Sequence, residues 1–301
     1  MTARYHDASA FRAWLDDRIK NTSRQTGTPH DRLRKNVAFH RLVARFIATD
    51  DDRWALKGGV ALLWRVAADV RTTRDVDANW SGTSEDLEVF LDEIVGRDVG
   101  DWFAFEIGPP RPLSGETEGG FRFGVTARLA GREFTAFHLD VNLISDERPV
   151  ARVPIHLAML AFAELADLDV PMITVGHQIA EKLHAVARSY AGGPSSRAKD
   201  AYDSMLYAQV GQLPSAGDLR EAVDDTFAIR DTLVSTTAPP LPSSWHSELE
   251  SLLADYPIPG VDGVSELERA WQRLWGALLD NSAPDAARWD AATMSWSTPA
   301  R

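Results

Sequence analysis

The chain contains no cysteine. That excludes disulfides, cysteine-ligated zinc and thiol catalysis, and it is compatible with a reducing compartment. Long apolar runs are also missing. The most apolar window, from Val153 to Met172, carries His156, Glu164, Asp167 and Asp169, so it does not read as a membrane span. The first residues, MTARYHDASAFRAWLDD, are charged and hold no apolar stretch, so a signal peptide is not expected and a cytoplasmic location is. There is no Walker A loop, no G-x-G-x-x-G, no H-E-x-x-H and no G-x-S-x-G, which removes the commonest phosphate-binding, zinc-protease and hydrolase signatures. Internal repeats and low-complexity tracts are absent as well.

With 301 residues, 44% hydrophobic and 25% charged, the chain has the make-up of a globular protein large enough for two domains. Its net charge of −12 argues superficially against a polyanionic partner, but the charge is uneven. Residues 1–74 hold 15 Lys/Arg against 8 Asp/Glu, and the remainder holds 17 against 36. A basic end on an acidic chain hints at a polyanion-facing side; basic helices are also often only solvated faces.

One stretch organises the rest: WALKGGVALLWRVAADVRTTRDVDANW, from Trp54. A short apolar entry ends in Lys57-Gly58-Gly59, a helix-like segment follows with Val60, Leu63, Ala67 and Val70 on one stripe, and the stretch closes on Arg74-Asp75-Val76-Asp77. A glycine pair lets the main chain approach a ligand closely. A helix beginning just after it aims free N–H groups and the positive dipole end at that ligand, which suits a phosphate. Asp75 and Asp77 are two apart, so on a strand both carboxylates share a face. Such a pair makes most sense around a divalent cation, and Mg²⁺ held by carboxylates plus substrate phosphates is the usual device of phosphoryl transfer. Asp-x-Asp alone is weak, since Asp50/Asp52 and Asp167/Asp169 repeat it. A Gly-Gly pair alone is more often a turn. The order of glycines, helix and acidic strand gives the pattern its weight.

Residues 8–47 read as two helices, with stripes at Ala10, Trp14, Leu15 and Ile19 and at Leu33, Val37, Leu42 and Phe46. Arg32, Arg34, Lys35, Arg41 and Arg45 crowd the second; they would grip an RNA backbone, or simply solubilise the helix. Thr83-Ser84-Glu85 signals a helix start, with Leu87, Phe90, Leu91 and Ile94 inward. Strand-like runs follow at Trp102–Ile107, Phe121–Leu129 and Phe134–Leu143, separated by turn-forming segments. In the last, FTAFHLDVNLI, the alternation places Asp140 on the polar face, as a third carboxylate beside Asp75/Asp77 if the strands are neighbours, or else as a solvent-facing residue. Arg148 to Pro154 reads as a domain boundary, and from about 155 the chain reads as helical. There Lys182 is a point charge suited to a triphosphate, Asp200 and Asp203 share a helix face, and His184 is expected to pack rather than catalyse. The loop YAGGPSS reads as a connector or a flap. Trp245, Trp271, Trp275, Trp289 and Trp296 are expected in the core rather than in base stacking.

Five ordered blocks, LKGGVALLWR, TRDVD, FHLDVN, AEKLHA and RAKDAYD, with a tail like TFAIRDTL…LPSSW, together resemble the AbiEii/AbiGii family of nucleotidyltransferase-like toxins. This is a branch of the DNA polymerase β-type superfamily that includes the mycobacterial MenT toxins. The resemblance covers roughly residues 10 to 290. It implies an α+β fold, with a nucleotidyltransferase domain built on a small mixed sheet (residues 1–150, including the basic N-terminal helices) and a helical domain (151–301) completing the active-site cleft. It implies that Gly58 and Gly59 shape the nucleotide-phosphate loop, with Lys57, Arg74, Asp140 and Asp203 also on the nucleotide side. Asp75 and Asp77 would bind Mg²⁺ or Mn²⁺, Lys182 would contact the triphosphate, and Asp200 would be an essential acid. The superfamily's usual first motif is Gly-Ser; here Gly58-Gly59 is followed by Val60, so no serine hydroxyl reaches the phosphates.

The expected function is therefore Mg²⁺-dependent transfer of NMP from an NTP to an RNA 3′ end, most readily a tRNA acceptor stem. That would block translation, with a neutralising antitoxin encoded nearby and a role in phage defence. Two alternatives stay open: NMP transfer to, or kinase-like modification of, a protein hydroxyl, and a non-catalytic nucleotide- or RNA-binding module. Under the first reading Asp75→Ala or Lys182→Ala is expected to abolish transfer with little loss of fold.

Overall fold

The computed structural model describes residues 7–66, 73–113, 119–145, 149–188, 197–210 and 213–298. The GGPSS loop and the positions Ala67, Val70 and Arg71 lie outside the described residues. The chain divides into two compact units, with the main break between Ile173 and Thr174.

The first unit begins with α1 (Ala8–Thr26) and α2 (His30–Ala48). Asp7 caps α1 by accepting from the Ala10 N–H, and Gly27 ends it in the left-handed conformation, φ +73°. Then come β1 (Trp54–Lys57), α3 (Gly58–Val66), β2 (Asp75–Ser81) and α4 (Ser84–Gly96). Thr83 and Asp86 form a reciprocal capping box at the start of α4, and Leu87, Phe90, Leu91 and Ile94 are buried as expected. β3 (Phe103–Ile107), a two-residue β4 (Arg111–Pro112), β5 (Gly120–Leu129) and β6 (Arg132–Ile144) follow. The β5–β6 hairpin turns through Ala130 and Gly131, both at positive φ, the twist that lets a two-residue loop join antiparallel strands.

β7 (Val150–Ile155), a 3₁₀ turn (Ala158–Ala163) and β8 (Leu168–Ile173) complete the unit. The order across the sheet is β3-β5-β6-β2-β1-β8-β7, with β4 on β5. β2 runs parallel to β6, β8 runs parallel to β1, and the other pairings are antiparallel. The sheet is mixed, as expected, but larger than the sequence suggested. Residues 150–155 belong to a strand, and the stretch after 155 holds a short 3₁₀ helix and the strand β8 before α-helix begins at Val175. β8 was hidden because five of its six residues are buried, so it shows no polar–apolar alternation.

Two further differences concern charge and register. In α1 the buried stripe is Phe11, Leu15 and Ile19; Ala10 is exposed and Trp14 is 47% exposed. Arg12 turns inward instead, donating to the carbonyls of Leu129, Arg132 and Glu133 at the β5–β6 turn. In α2, Arg41 and Arg45 are buried rather than presented to a polyanion. Arg41 Nε donates to Asp101 Oδ2 at 2.6 Å, and Arg45 spans both Asp101 oxygens at 2.8 and 2.9 Å and also donates to the Phe103 carbonyl. Arg34 bonds Asp16 and Lys35 pairs with Asp31. The basic character of α2 is thus largely spent inside the unit.

The second unit holds α5 (Val175–Ala187), α6 (Ala198–Gln209), α7 (Ala216–Ile229), α8 (His246–Asp255) and α9 (Val264–Leu279), then a small hairpin of β9 (Arg288–Asp290) and β10 (Ser295–Ser297). Trp245, Trp271, Trp275 and Trp289 are buried, and the half-buried Trp296 donates its indole N–H to the Leu274 carbonyl. They are core residues, as their spacing implied. No helix among the described residues is long and apolar enough to cross a membrane.

Asp101→Ala leaves two buried guanidinium groups without their carboxylate, and is expected to cost about 3–5 kcal/mol in a urea titration. Burial alone would raise the pKa of Asp101, but the hydrogen bonds of Arg45 and the charges of Arg41 and Arg45 outweigh it and hold the carboxyl below its ordinary value. The stability it contributes is therefore present above the unfolded value of about 4 and lost as pH falls below it. An unchanged urea midpoint in the variant would refute this account.

Candidate active site

The first cluster forms where β1 runs into α3. Gly58 has φ +63°, a conformation that favours glycine, and a Cβ there would fall on the Asp77 carboxylate. A Cβ on Gly59 would likewise collide with Thr73 Oγ1. The glycine pair is required because a carboxylate sits against the backbone, and the Gly59 N–H donates to that carboxylate. The start of α3 adds its positive dipole end.

Strand register assembles the acidic patch. In β2, Val76, Ala78 and Trp80 face the core while Asp75 and Asp77 face the other way, half-buried. Lys57 pairs with Asp77 across β1–β2, and Asp140 pairs with Asp77 across the parallel β2–β6 ladder. The condition attached to Asp140 is met: the strands are neighbours. Burial raises the Asp77 carboxyl to about 6; the Asp140 and Asp75 charges push the same way, and Lys57 opposes them. Two residues that the sequence reading did not assign complete the patch. Arg122 on β5 grips Asp140 with bonds of 2.7 and 2.6 Å and lies 3.9 Å from Asp75. His138 on β6 places Nδ1 3.2 Å from Asp75 Oδ1. Both are visible only once β5, β6 and β2 are in register. Arg74 is exposed, one residue before β2.

The second cluster lies wholly in the second unit. Lys182 on α5 donates to Asp200 Oδ1 at 3.1 Å and to Asp203 Oδ2 at 2.7 Å, both on α6. Asp203 is fully buried, Lys182 nearly so, and Arg197 stands 3.6 Å from Asp200. The sequence placed Asp200 and Asp203 on one helix face and read Lys182 separately as a triphosphate contact; the structure brings the three together. Their burial corrects one expectation, because a lysine holding a buried carboxylate is not removable without cost to the fold. His184 packs its ring against Phe227 at 4.9 Å, and burial, with Arg230 and Arg188 nearby, lowers its pKa to about 4. It is a packing residue.

The family description "Nucleotidyl transferase AbiEii toxin, Type IV TA system" matches residues 41–294. The chain belongs to the AbiEii family. AbiEii proteins are nucleotidyltransferase toxins of type IV toxin–antitoxin systems, and membership implies an NTP substrate and an antitoxin partner. Among solved structures the fold is similar to MenT4, the nucleotidyltransferase toxin Rv2826c of Mycobacterium tuberculosis H37Rv: 18% identity, 89% of each chain covered, TM-score 0.57. A looser likeness, to JHP933 from Helicobacter pylori, has 12% identity, covers 82% of this chain and 93% of that one, and has a TM-score of 0.43. No curated protein sequence matches the chain. The fold is the α+β arrangement expected, with a mixed sheet in the first unit and helices in the second.

Nucleotidyltransferases in general use divalent metals. Among the described residues no group of three or more His, Asp or Glu side chains is arranged to enclose an ion, and Asp140 is engaged by Arg122. The patch fits a cation held by one or two carboxylates and completed by substrate phosphates, the common form for Mg²⁺. Asp75 and Asp77 supply hard oxygen donors on one face, crowded by Asp140 and only partly offset by Lys57.

Gly58→Ala is expected to displace Asp77, lowering nucleotide turnover at least ten-fold, with a stability loss of about 1–3 kcal/mol from backbone strain. Wild-type kinetics in that variant would show that the close approach is dispensable. Lys182→Ala is expected to lower the thermal midpoint sharply, because Asp203 is left buried without its cation, at about 3–5 kcal/mol. Lys182→Arg, which keeps the charge, should fold and is the variant for kinetic work.

Proposed function

We propose that this toxin carries out Mg²⁺-dependent transfer of NMP from an NTP to the 3′-hydroxyl of an RNA, a tRNA acceptor end, and blocks translation by sealing that end. The observation that carries the reading is the register of Asp75, Asp77 and Asp140 on one sheet face, against the backbone of Gly58-Gly59 at the start of α3. Asp75 and Asp77 would hold the divalent cation, whose contribution is to neutralise phosphate charge and align attack on the α-phosphorus. The chain's own groups have distinct tasks. The Gly58–Gly59 turn and the α3 N-terminus receive phosphate oxygens. Asp140 accepts the proton of the attacking hydroxyl as the new O–P bond forms and the α–β phosphoanhydride breaks, releasing pyrophosphate. Arg122, bridging Asp140 and lying near Asp75, can transfer its guanidinium onto phosphate oxygens. His138 fixes the orientation of Asp75. The resemblance assigns Lys182 to the triphosphate and Asp200 to the essential acid, and the bonds of Lys182 to Asp200 and Asp203 hold its ammonium in one place.

A second reading keeps the donor and changes the acceptor to a protein hydroxyl. It is favoured by the internal use of Arg41 and Arg45, two of the cations expected to grip RNA.

The test supplies each of four α-labelled NTPs with Mg²⁺ to total tRNA and to lysate protein, alongside Asp77→Asn. Label that enters RNA, is released by RNase and is lost in the variant is the expected result. Label resistant to RNase and sensitive to protease would move the acceptor to protein. No label in either, with NTP bound, would replace the enzyme by a binding module. Because Asp77 is crowded by like charge and enclosed by backbone, Asp77→Asn is also expected to melt at a higher temperature than the wild type without ligand.

A further inference from the structure

The Asp77–Asp140 pair is the middle of a longer row. Across the sheet, Lys57 pairs with Asp77, Asp77 with Asp140, Asp140 with Arg122, and Arg122 with Arg111 of β4. Residues paired on neighbouring strands point to the same face, so five charged side chains stand in one line. With strands about 4.8 Å apart, Arg111 lies about 10 Å along the row from Asp140 and about 19 Å from Lys57. The carboxylates are thus flanked by two cationic ends, one beside the glycine turn into α3 and the other at the β4–β5 edge.

Two arginines directly opposite each other on antiparallel strands repel, and the pair is destabilising unless an anion lies against it. Arg122 has Asp140, to which it donates through Nε and Nη2. Its Nη1 and the exposed Arg111 guanidinium have neither a hydrogen bond nor an ion pair among the described residues. Beside them the sheet face is bare. Gly124, two residues beyond Arg122 on that face, is exposed, and a Cβ there would meet nothing within 4 Å. Two guanidinium groups beside an open floor are a receptor for phosphate oxygens.

Placement decides whose phosphate this is. In-line transfer puts the attacking and leaving oxygens on opposite sides of the α-phosphorus. The leaving pyrophosphate belongs at the Lys57 end, against the Gly58–Gly59 turn, so the attacking hydroxyl approaches Asp140 from the Arg122 side. A strand that ends in that hydroxyl carries its last phosphodiester away from the carboxylates, toward Arg111. The donor's triphosphate lies at the other end of the row.

We infer that Arg111 and Arg122 form an acceptor-side phosphate site, which holds the last phosphodiester of an RNA strand while its 3′-hydroxyl stands at Asp140. The inference rests on the nucleotidyl-transfer reading of the carboxylates and adds the path of the acceptor strand to it. It places on β4 and β5 a phosphate grip that the inward-turned Arg41 and Arg45 of α2 do not provide.

The experiment uses the full chain with Arg111→Gln, with Gly124→Val, and with Arg128→Gln as a control that removes the same charge from β5 at its ion pair with Glu106. Binding of uncharged tRNA labelled with fluorescein at its 5′ end is measured against salt concentration, and NTP binding is measured beside it. Each phosphate contact contributes about 0.7–0.9 to the slope of log K against log salt. Arg111→Gln is expected to weaken tRNA binding about five-fold or more and to lower the slope by that amount, with NTP binding unchanged. Gly124→Val should weaken tRNA binding with the slope unchanged, because it fills the floor and removes no charge. Arg128→Gln should match the wild type. A wild-type slope in Arg111→Gln, an equal loss in Arg128→Gln, or unaltered binding in Gly124→Val overturns the site. Weakened NTP binding with tRNA binding intact would give the phosphate to the donor and overturn the acceptor assignment. A wild type that binds tRNA through Arg111 yet transfers no label would sink the transfer reading and leave the site standing. Label transferred to tRNA equally well by Arg111→Gln and the wild type, with equal slopes, would do the reverse.

Discussion

The contact between the Gly58 backbone and the Asp77 carboxylate is the constraint on which the first unit's chemistry depends. Gly58 adopts a left-handed φ because β1 must turn into α3 at once, and Asp77 sits where any side chain on Gly58 would be. That closeness enclosed the carboxylate, and enclosure is the largest cause of its raised pKa. The adjacent strands then add charges of known sign: Asp140 through the parallel ladder and Lys57 through the antiparallel one. A group held this way is costly to keep ionised without a cation, which is the usual mark of a functional rather than a stabilising position.

The fate of the basic residues shows how charge counts mislead. Fifteen Lys/Arg in the first 74 positions suggested a surface for polyanions. Arg12, Arg41 and Arg45 are instead drawn inside, where they satisfy the carbonyls of the β5–β6 turn and the carboxylate of Asp101. An arginine on a helix looks the same in sequence whether its partner is solvent, phosphate or an aspartate 56 residues away. Only burial separates these cases, and burial is a property of packing.

Much of the site was nonetheless legible. Asp75 and Asp77 share a face because strands have period two, and Gly58-Gly59 precedes a helix because that is where close backbone approach is useful. Asp200 and Asp203 share a helix face by their spacing, but that Lys182 of α5 bonds to both was not legible. The residues that escaped notice, Arg122 and His138, reach the acidic patch only through pairings between strands.

The sequence by itself determined what depends on local periodicity and covalent spacing: the first two helices, the capped start of α4, the alternation of β2 and β6, the shared face of the Asp75/Asp77 pair, and the family to which the ordered motifs belong. Tertiary structure alone decided that β8 joins the sheet beside β1, that Asp140 stands opposite Asp77, and that Arg41 and Arg45 turn inward. The physical reason is the same in each case. Register and burial are set by contacts between segments far apart in the chain, and no local pattern encodes which segments will meet.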